Sequence, residues 1–184
     1  MSRIFLAAPY TQWMDWTRGT VIPERKEFLN SIRQAFLNRG HAVFNAHQNE
    51  DWGEGWLAPE VCTPADFLAV QRADVLCVVL GDPPSPGVMT ELGWASALGR
   101  PLVLLTGTTQ LPALVTGLGE VTHTVVRPCP RELTADILDD LVAEVEAAAA
   151  APARRPADGP VAGYPKTSLP YGYEAGELTA PRVA

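Results

Sequence analysis

Two short runs without a charged or amide side chain, Val75-Leu76-Cys77-Val78-Val79-Leu80 and Pro101-Leu102-Val103-Leu104-Leu105, constrain this chain most. A strand that is apolar on both of its alternating sides must be covered on both faces, which is the condition of a parallel sheet between two helix layers. The flanking sequence supplies those layers. Arg3 to Ala8 reads as a first strand, and Pro23 to Gly40 as a helix with Phe28, Leu29, Ile32 and Phe36 on one face. Ala42-Val43-Phe44 reads as a second strand, and Thr63-Pro64-Ala65-Asp66 as the opening of a second helix. A third helix starts after Val75–Leu80, with Ser85 as N-cap and Pro86 at its first position, and ends at Gly99. Val121 to Val126 reads as a fifth strand, and Arg131 to Ala149 as a closing amphipathic helix. Strand–helix alternation with right-handed crossovers predicts a three-layer, flavodoxin- or Rossmann-like α/β sandwich. Its five-stranded parallel sheet should have the order 2-1-3-4-5. Residues 1–150 form the expected domain; residues 151–184, rich in Pro, Ala and Gly, read as a tail that carries Tyr164, Tyr171 and Tyr173.

Composition narrows the function. A formal net charge of -7 over 184 residues argues against a nucleic-acid surface, which should be basic. No apolar run of 18 residues suggests a membrane span, and the first strand begins at once, so a cytoplasmic protein is expected. Cys62, Cys77 and Cys129 are odd in number and unevenly spaced, as in reduced structural thiols. The three histidines lack metal spacing, so neither a metal nor a cofactor is expected.

In the predicted topology ligands bind outside the carboxyl ends of strands 1 and 3. Ala8-Pro9-Tyr10 and Asp82 to Ser85 occupy those ends. The helix opened by Ser85 and Pro86 offers amide groups and a positive dipole end to an anion. Glu91 lies within two turns of that end, between Gly87 and Gly93, and the dipole should keep it ionised, as a nucleophile requires. Asp66 is either the fourth position of a Thr63-x-x-Asp66 capping box or a general acid. Asp74 should bond neighbouring backbone amides; Asp82 is a weaker alternative acid. His47 leaves the second strand at the ligand edge, and Phe5, Trp52 and Trp94 are stacking candidates.

These elements together resemble the nucleoside 2-deoxyribosyltransferase superfamily. The resemblance rests on Phe5-Leu6-Ala7-Ala8-Pro9-Tyr10, on Asp66 with Asp74 eight residues on, and on Ser85-Pro86-Gly87-x-x-x-Glu91-Leu92-Gly93-Trp94-Ala95. Val43 to His47, Glu50-x-Trp52-Gly53 and Leu114 to Leu118 look most like one branch, the CMP and hydroxymethyl-CMP N-glycosidases of peptidyl-nucleoside antibiotic pathways such as those of mildiomycin and blasticidin S. The match runs over residues 3–145. It implies that Glu91 attacks C1′ of the sugar, that Asp66 delivers the proton to the leaving base, and that water then releases ribose 5-phosphate. It implies that Ser85 and the amides near Gly87 hold a 5′-phosphate, since transferase members carry Asp at the place of Ser85. Phe5, Tyr10, His47 and Trp94 would complete the substrate pocket. Thr11 stands where nucleotide-hydrolysing members carry Arg, and Arg18 in the same loop is the candidate substitute. The resemblance further implies a homodimer or larger assembly with shared sites, to which residues 111–118 contribute. The alternatives are a transferase that exchanges bases and a nucleotide-binding protein without turnover.

Overall fold

The computed structural model describes residues 1–108 and 110–154, so the Tyr-bearing part of the tail lies outside the described residues. In chain order the elements are β1 (Arg3–Ala7), β2 (Met14–Asp15), β3 (Thr20–Val21), α1 (Pro23–Asn38), β4 (Ala42–Phe44), α2 (Ala46–Asn49), α3 (Pro59–Arg72), β5 (Val75–Val79), α4 (Pro86–Ala97), β6 (Leu102–Thr106), α5 (Ala113–Thr116), β7 (Thr124–Pro128) and α6 (Ala135–Ala150). The parallel sheet has the order β4-β1-β5-β6-β7. It differs from the expected numbering because two short strands, β2 and β3, come first. They form an antiparallel hairpin outside the main sheet; without them the order is 2-1-3-4-5.

Strand alternation sorts the core into two halves. Ile4, Leu6, Val75, Cys77, Val79, Val103 and Leu105 face α1 and α6, where Leu29, Ile32, Phe36, Leu141, Val142 and Val145 meet them. Phe5, Ala7, Leu76, Val78, Leu80, Leu102 and Leu104 face α3 and α4, against Val70, Val88, Leu92 and Ala95. Truncating a fully buried member such as Leu76 to Ala costs about 2–5 kcal/mol. The connection from β1 to β4 runs through α1 on one face, and that from β5 to β6 through α4 on the other. The chain therefore parts between the carboxyl ends of β1 and β5 and leaves a crevice there.

Three boundaries depart from expectation. α3 opens at Pro59, not at Thr63, and the amides of Val61 and Cys62 donate to Ala58 O at 2.8 and 3.0 Å. Ala58-Pro59 is as good a start signal as Thr63-Pro64, and Pro64 sits inside the helix. The capping box at Thr63 therefore does not form, and Asp66 lies in mid-helix. β7 starts at Thr124 because Gly117–Glu120 makes a tight turn whose Leu118 carbonyl accepts from the Val121 and Thr122 amides. α6 starts at Ala135, where the Thr134 hydroxyl accepts from Ile137 N at 3.3 Å.

Candidate active site

A cavity of about 370 Å³ occupies the crevice at the carboxyl ends of β1 and β5, a volume suited to a small metabolite. Phe5, Tyr10, His47, Asp66, Ser85, Gly87 and Glu91 all line it. Seven of the nine residues that the resemblance assigns to the site thus meet at one place. The other two do not. Arg18 lies at the β2–β3 turn, where its guanidinium is 3.6 Å from Asp15. Trp94 does not line the cavity and packs edge-on against Phe67, centroids 5.5 Å apart.

Each lining residue is placed by local structure. β1 delivers Phe5, whose ring stacks on Phe44 of β4 at 5.1 Å and 16°. The buried Asn45 side chain caps α2 by accepting from Gln48 N at 3.1 Å, and ties α2 to β1 by donating to Leu6 O at 2.9 Å. That cap turns His47 inward. His47 is in a short helix rather than the expected loop, and its Nε2–H donates to Pro9 O at 3.2 Å. Burial holds its pKa down to about 4, so the ring is neutral and Nδ1 is an acceptor. Tyr10 stacks against His47 at 4.6 Å and meets the edge of Trp56 at 5.2 Å.

α4 brings Ser85 and Glu91. Ser85 holds the N-cap position in extended conformation, yet its hydroxyl makes no capping bond. Pro86 has no amide hydrogen, so Gly87 and Val88 lead the helix with amides that it does not need for its own ladder. Ser85 is buried, and its hydroxyl is left for a ligand.

The electrostatics revise one expectation. Glu91 Oε2 is enclosed without a hydrogen-bond partner, and burial, followed by the charge of Asp66, pushes its pKa up to about 8. Desolvation outweighs the helix dipole here, so Glu91 does not stay ionised at neutral pH. Burial, followed by the charge of Glu50, raises Asp66 to about 6. Between those two values the pair carries one proton, the number that one acid and one nucleophile need. Tyr10 Oη and His47 Nδ1 are also enclosed without partners. Three polar atoms left unpaired around one cavity are what a polar ligand would satisfy.

Sequence reasoning missed Glu50, Trp56, Leu57 and Cys62 as lining residues. The signal for Glu50, Trp56 and Leu57 was the Trp- and Gly-rich stretch after β4; Cys62 comes from the first turn of α3. Thr11 does line the cavity, and no Lys or Arg does among the described residues. Asp74 has its expected structural place: Oδ2 accepts from Arg3 N, and Oδ1 from the Arg3 guanidinium, each at 2.8 Å. Asp82 borders a different cavity. No group of three or more His, Cys, Asp or Glu among the described residues could hold a metal ion. No helix among them is long and apolar enough to cross a membrane.

A parallel sheet in this order, with a helix N-terminus and two carboxylates at the switch point, defines an α/β protein with a small-molecule site. Neither a family model nor a curated protein matches the chain. Solved structures do. The solution structure of BlsM is 33% identical, covering 84% of this chain and 98% of that one with a TM-score of 0.62. The Clostridium botulinum CMP N-glycosidase BcmB is 23% identical over 79% and 98% of the two chains, TM-score 0.56. A 2-deoxyribosyltransferase from the psychrotolerant bacterium Bacillus psychrosaccharolyticus is 21% identical over 77% and 90%, TM-score 0.53. The last two show the shared fold. The chain belongs to the family of BlsM, and it shares the fold of a CMP N-glycosidase and a 2-deoxyribosyltransferase.

Proposed function

We propose that the protein hydrolyses the N-glycosidic bond of a pyrimidine, cytidine-type nucleoside 5′-monophosphate to free base and ribose 5-phosphate. The observation that carries this reading is the pair Glu91 and Asp66, two buried carboxylates with raised pKa values that share one cavity beside the leading amides of α4. Substrate binding first shifts the one proton of the pair from Glu91 to Asp66; the ionised Glu91 then attacks C1′, the C1′–N bond breaks, and the base departs with that proton. Positive charge developing at C1′ favours the ionised form of Glu91 as the bond breaks. Asp66, now a carboxylate, then takes a proton from water, whose oxygen attacks C1′ and frees Glu91. The Ser85 hydroxyl and the amides of Gly87 and Val88 hold the phosphate. The two relatives named for such chemistry, BcmB and the Bacillus transferase, support the choice of reaction class.

The lack of Lys or Arg among the lining residues favours a second reading, transfer of an uncharged nucleoside's sugar between bases. Residues 111–118 reaching into a neighbouring subunit would add an apolar wall to its site but no cation, since the segment holds no Lys or Arg. Leu114 on α5, 87% exposed, supports such an assembly. The test is release of free base from a panel of ribo- and deoxyribonucleosides and their monophosphates, with and without an acceptor base. Base and ribose 5-phosphate in equal amounts support hydrolysis. A new nucleoside formed only with acceptor supports transfer, and no turnover of any substrate refutes both.

A further inference from the structure

The mechanism uses two of the three carboxylates that border the cavity. The third, Glu50, has no part in it, and its position is elaborately fixed. It follows α2, and the chain then passes through Asp51 (φ 47), Trp52 (φ 57) and Gly53 (φ 105). Left-handed backbone is unfavourable for a residue with a side chain. Gly53 is required, since a Cβ there would lie 2.7 Å from Met14 Cε and 2.9 Å from Gly19 O. The turn folds back on Glu50: the amides of Gly53 and Gly55 donate to its carbonyl at 3.0 and 2.9 Å, and Leu57 N donates to Oε2 at 3.2 Å. The backbone claims Oε2, and the Tyr10 hydroxyl stands beside the carboxylate, whose negative charge helps to push the phenol's pKa up after burial does. Glu50 is 7% exposed and forms no ion pair among the described residues. A carboxylate held out of water without a cation keeps lone pairs for donors beyond Leu57 N and the Tyr10 hydroxyl.

Its place along the cavity says which part of a substrate would bring them. The two carboxylates of the mechanism lie toward α4, Glu91 on it and Asp66 on α3, which packs against it, whereas Glu50 follows β4 at the edge of the sheet. In the proposed reaction Glu91 meets C1′ and Asp66 meets the base, which puts Glu50 at the far end of the base. Its neighbour His47 Nδ1 is likewise an acceptor, because Nε2–H is spent on Pro9 O. Glu50 and His47 Nδ1 thus give the base end two acceptors beside the Tyr10 hydroxyl, and Phe5 backed by Phe44 supplies a flat wall.

We infer that Glu50 selects nucleobases carrying an exocyclic amino group, as in cytosine, over bases that present a carbonyl there, as in uracil. An N–H of the amino group donates to Glu50; a carbonyl would face the carboxylate lone pairs and leave both unsatisfied. This inference rests on the nucleoside-processing reading of the cavity. A site built to hydrogen-bond one group rejects the analogue lacking it by a large factor, at least ~100-fold here.

The experiment compares kcat/KM for cytidine and uridine, as nucleosides and as 5′-monophosphates, in the wild type and in Glu50→Gln. Gln keeps the size and an oxygen for Leu57 N, and adds a donor that a carbonyl can accept. The wild type should prefer cytidine by at least ~100-fold, and the variant should lose at least ~10-fold of that preference through a gain on uridine. A purely structural Glu50 lowers both substrates together and leaves their ratio unchanged, which overturns the inference while the reaction stands. If the wild type cleaves neither, the reaction reading fails, and equilibrium binding of the same four compounds decides about Glu50. Tighter binding of the cytidine compounds that is lost in Glu50→Gln upholds the selector role; equal binding overturns it.

Discussion

Replacing Glu91 by Gln should stabilise the fold at neutral pH while it removes activity. In the unfolded chain Glu91 ionises near its ordinary value of 4.5; in the folded chain burial, then Asp66, delays this to about 8. Across that window the folded state binds one proton more than the unfolded state, so stability falls as pH rises, by about 1.4 kcal/mol per unit. At pH 7 the loss amounts to roughly 3 kcal/mol, and it reaches its full extent near pH 8. Gln has nearly the same shape and no proton to lose, so Glu91→Gln avoids the loss. For a chain of this size ~3 kcal/mol corresponds to a rise in Tm of roughly 6–12 °C at pH 7. At pH 4 both proteins carry a neutral side chain and should melt together. Thermal or urea unfolding of the two proteins from pH 4 to pH 8 measures the difference. A variant no more stable than wild type at pH 7, or a difference that does not change with pH, refutes the buried, proton-holding carboxylate. An active site that weakens its own fold in this way is a common trade between stability and function.

Other substitutions test the remaining assignments. Asp66→Asn should lower kcat by about 10²–10⁴-fold, the usual worth of a positioned acid, and should move the pH-dependent loss of stability to lower pH by removing the charge that Glu91 feels; a kcat within a few-fold of wild type removes Asp66 from the reaction. Ser85→Asp should shift preference from nucleoside monophosphates to nucleosides by at least ~100-fold, because a second negative charge would face the phosphate; an unchanged ratio of kcat/KM values removes the phosphate from α4. Asp74→Ala breaks the half-exposed pair with Arg3 and frees the Arg3 amide, so it should cost about 1 kcal/mol in urea unfolding. Base release per folded molecule should not change, and a large loss of activity would assign Asp74 to the site.

The sheet was readable because its evidence is local and strong. Val75 to Leu80 admits few alternatives to a strand buried on both faces, and β5 realises it residue by residue. The hairpin β2–β3 was not readable, since strands of two residues have no period to detect. The start of α3 was misplaced by a genuine ambiguity, two Pro-containing start signals within six residues, and only packing decides between them. For the site, topology brought Tyr10 and Ser85 together from pattern alone, and Glu91 followed from its place on α4. Arg18 does not line the cavity, and no sequence signal showed this, because a loop's direction is not encoded in its composition. Glu50 was missed as a site residue because its role depends on successive left-handed residues at Asp51 and Trp52 that no propensity suggests. The protonation of Glu91 was the deepest miss: position on a helix is visible in a sequence, but desolvation by a surrounding cavity is not.

The central claim is that Glu91 becomes covalently bonded to the sugar. It is tested most directly by mass spectrometry of the protein after incubation with a 2′-fluoroarabinosyl cytidine monophosphate, whose fluorine slows the second displacement. The account predicts a pentose phosphate adduct on the peptide that contains Glu91, absent from Glu91→Gln. Base release by Glu91→Gln at the wild-type rate, with no adduct on that peptide in either protein, would contradict it.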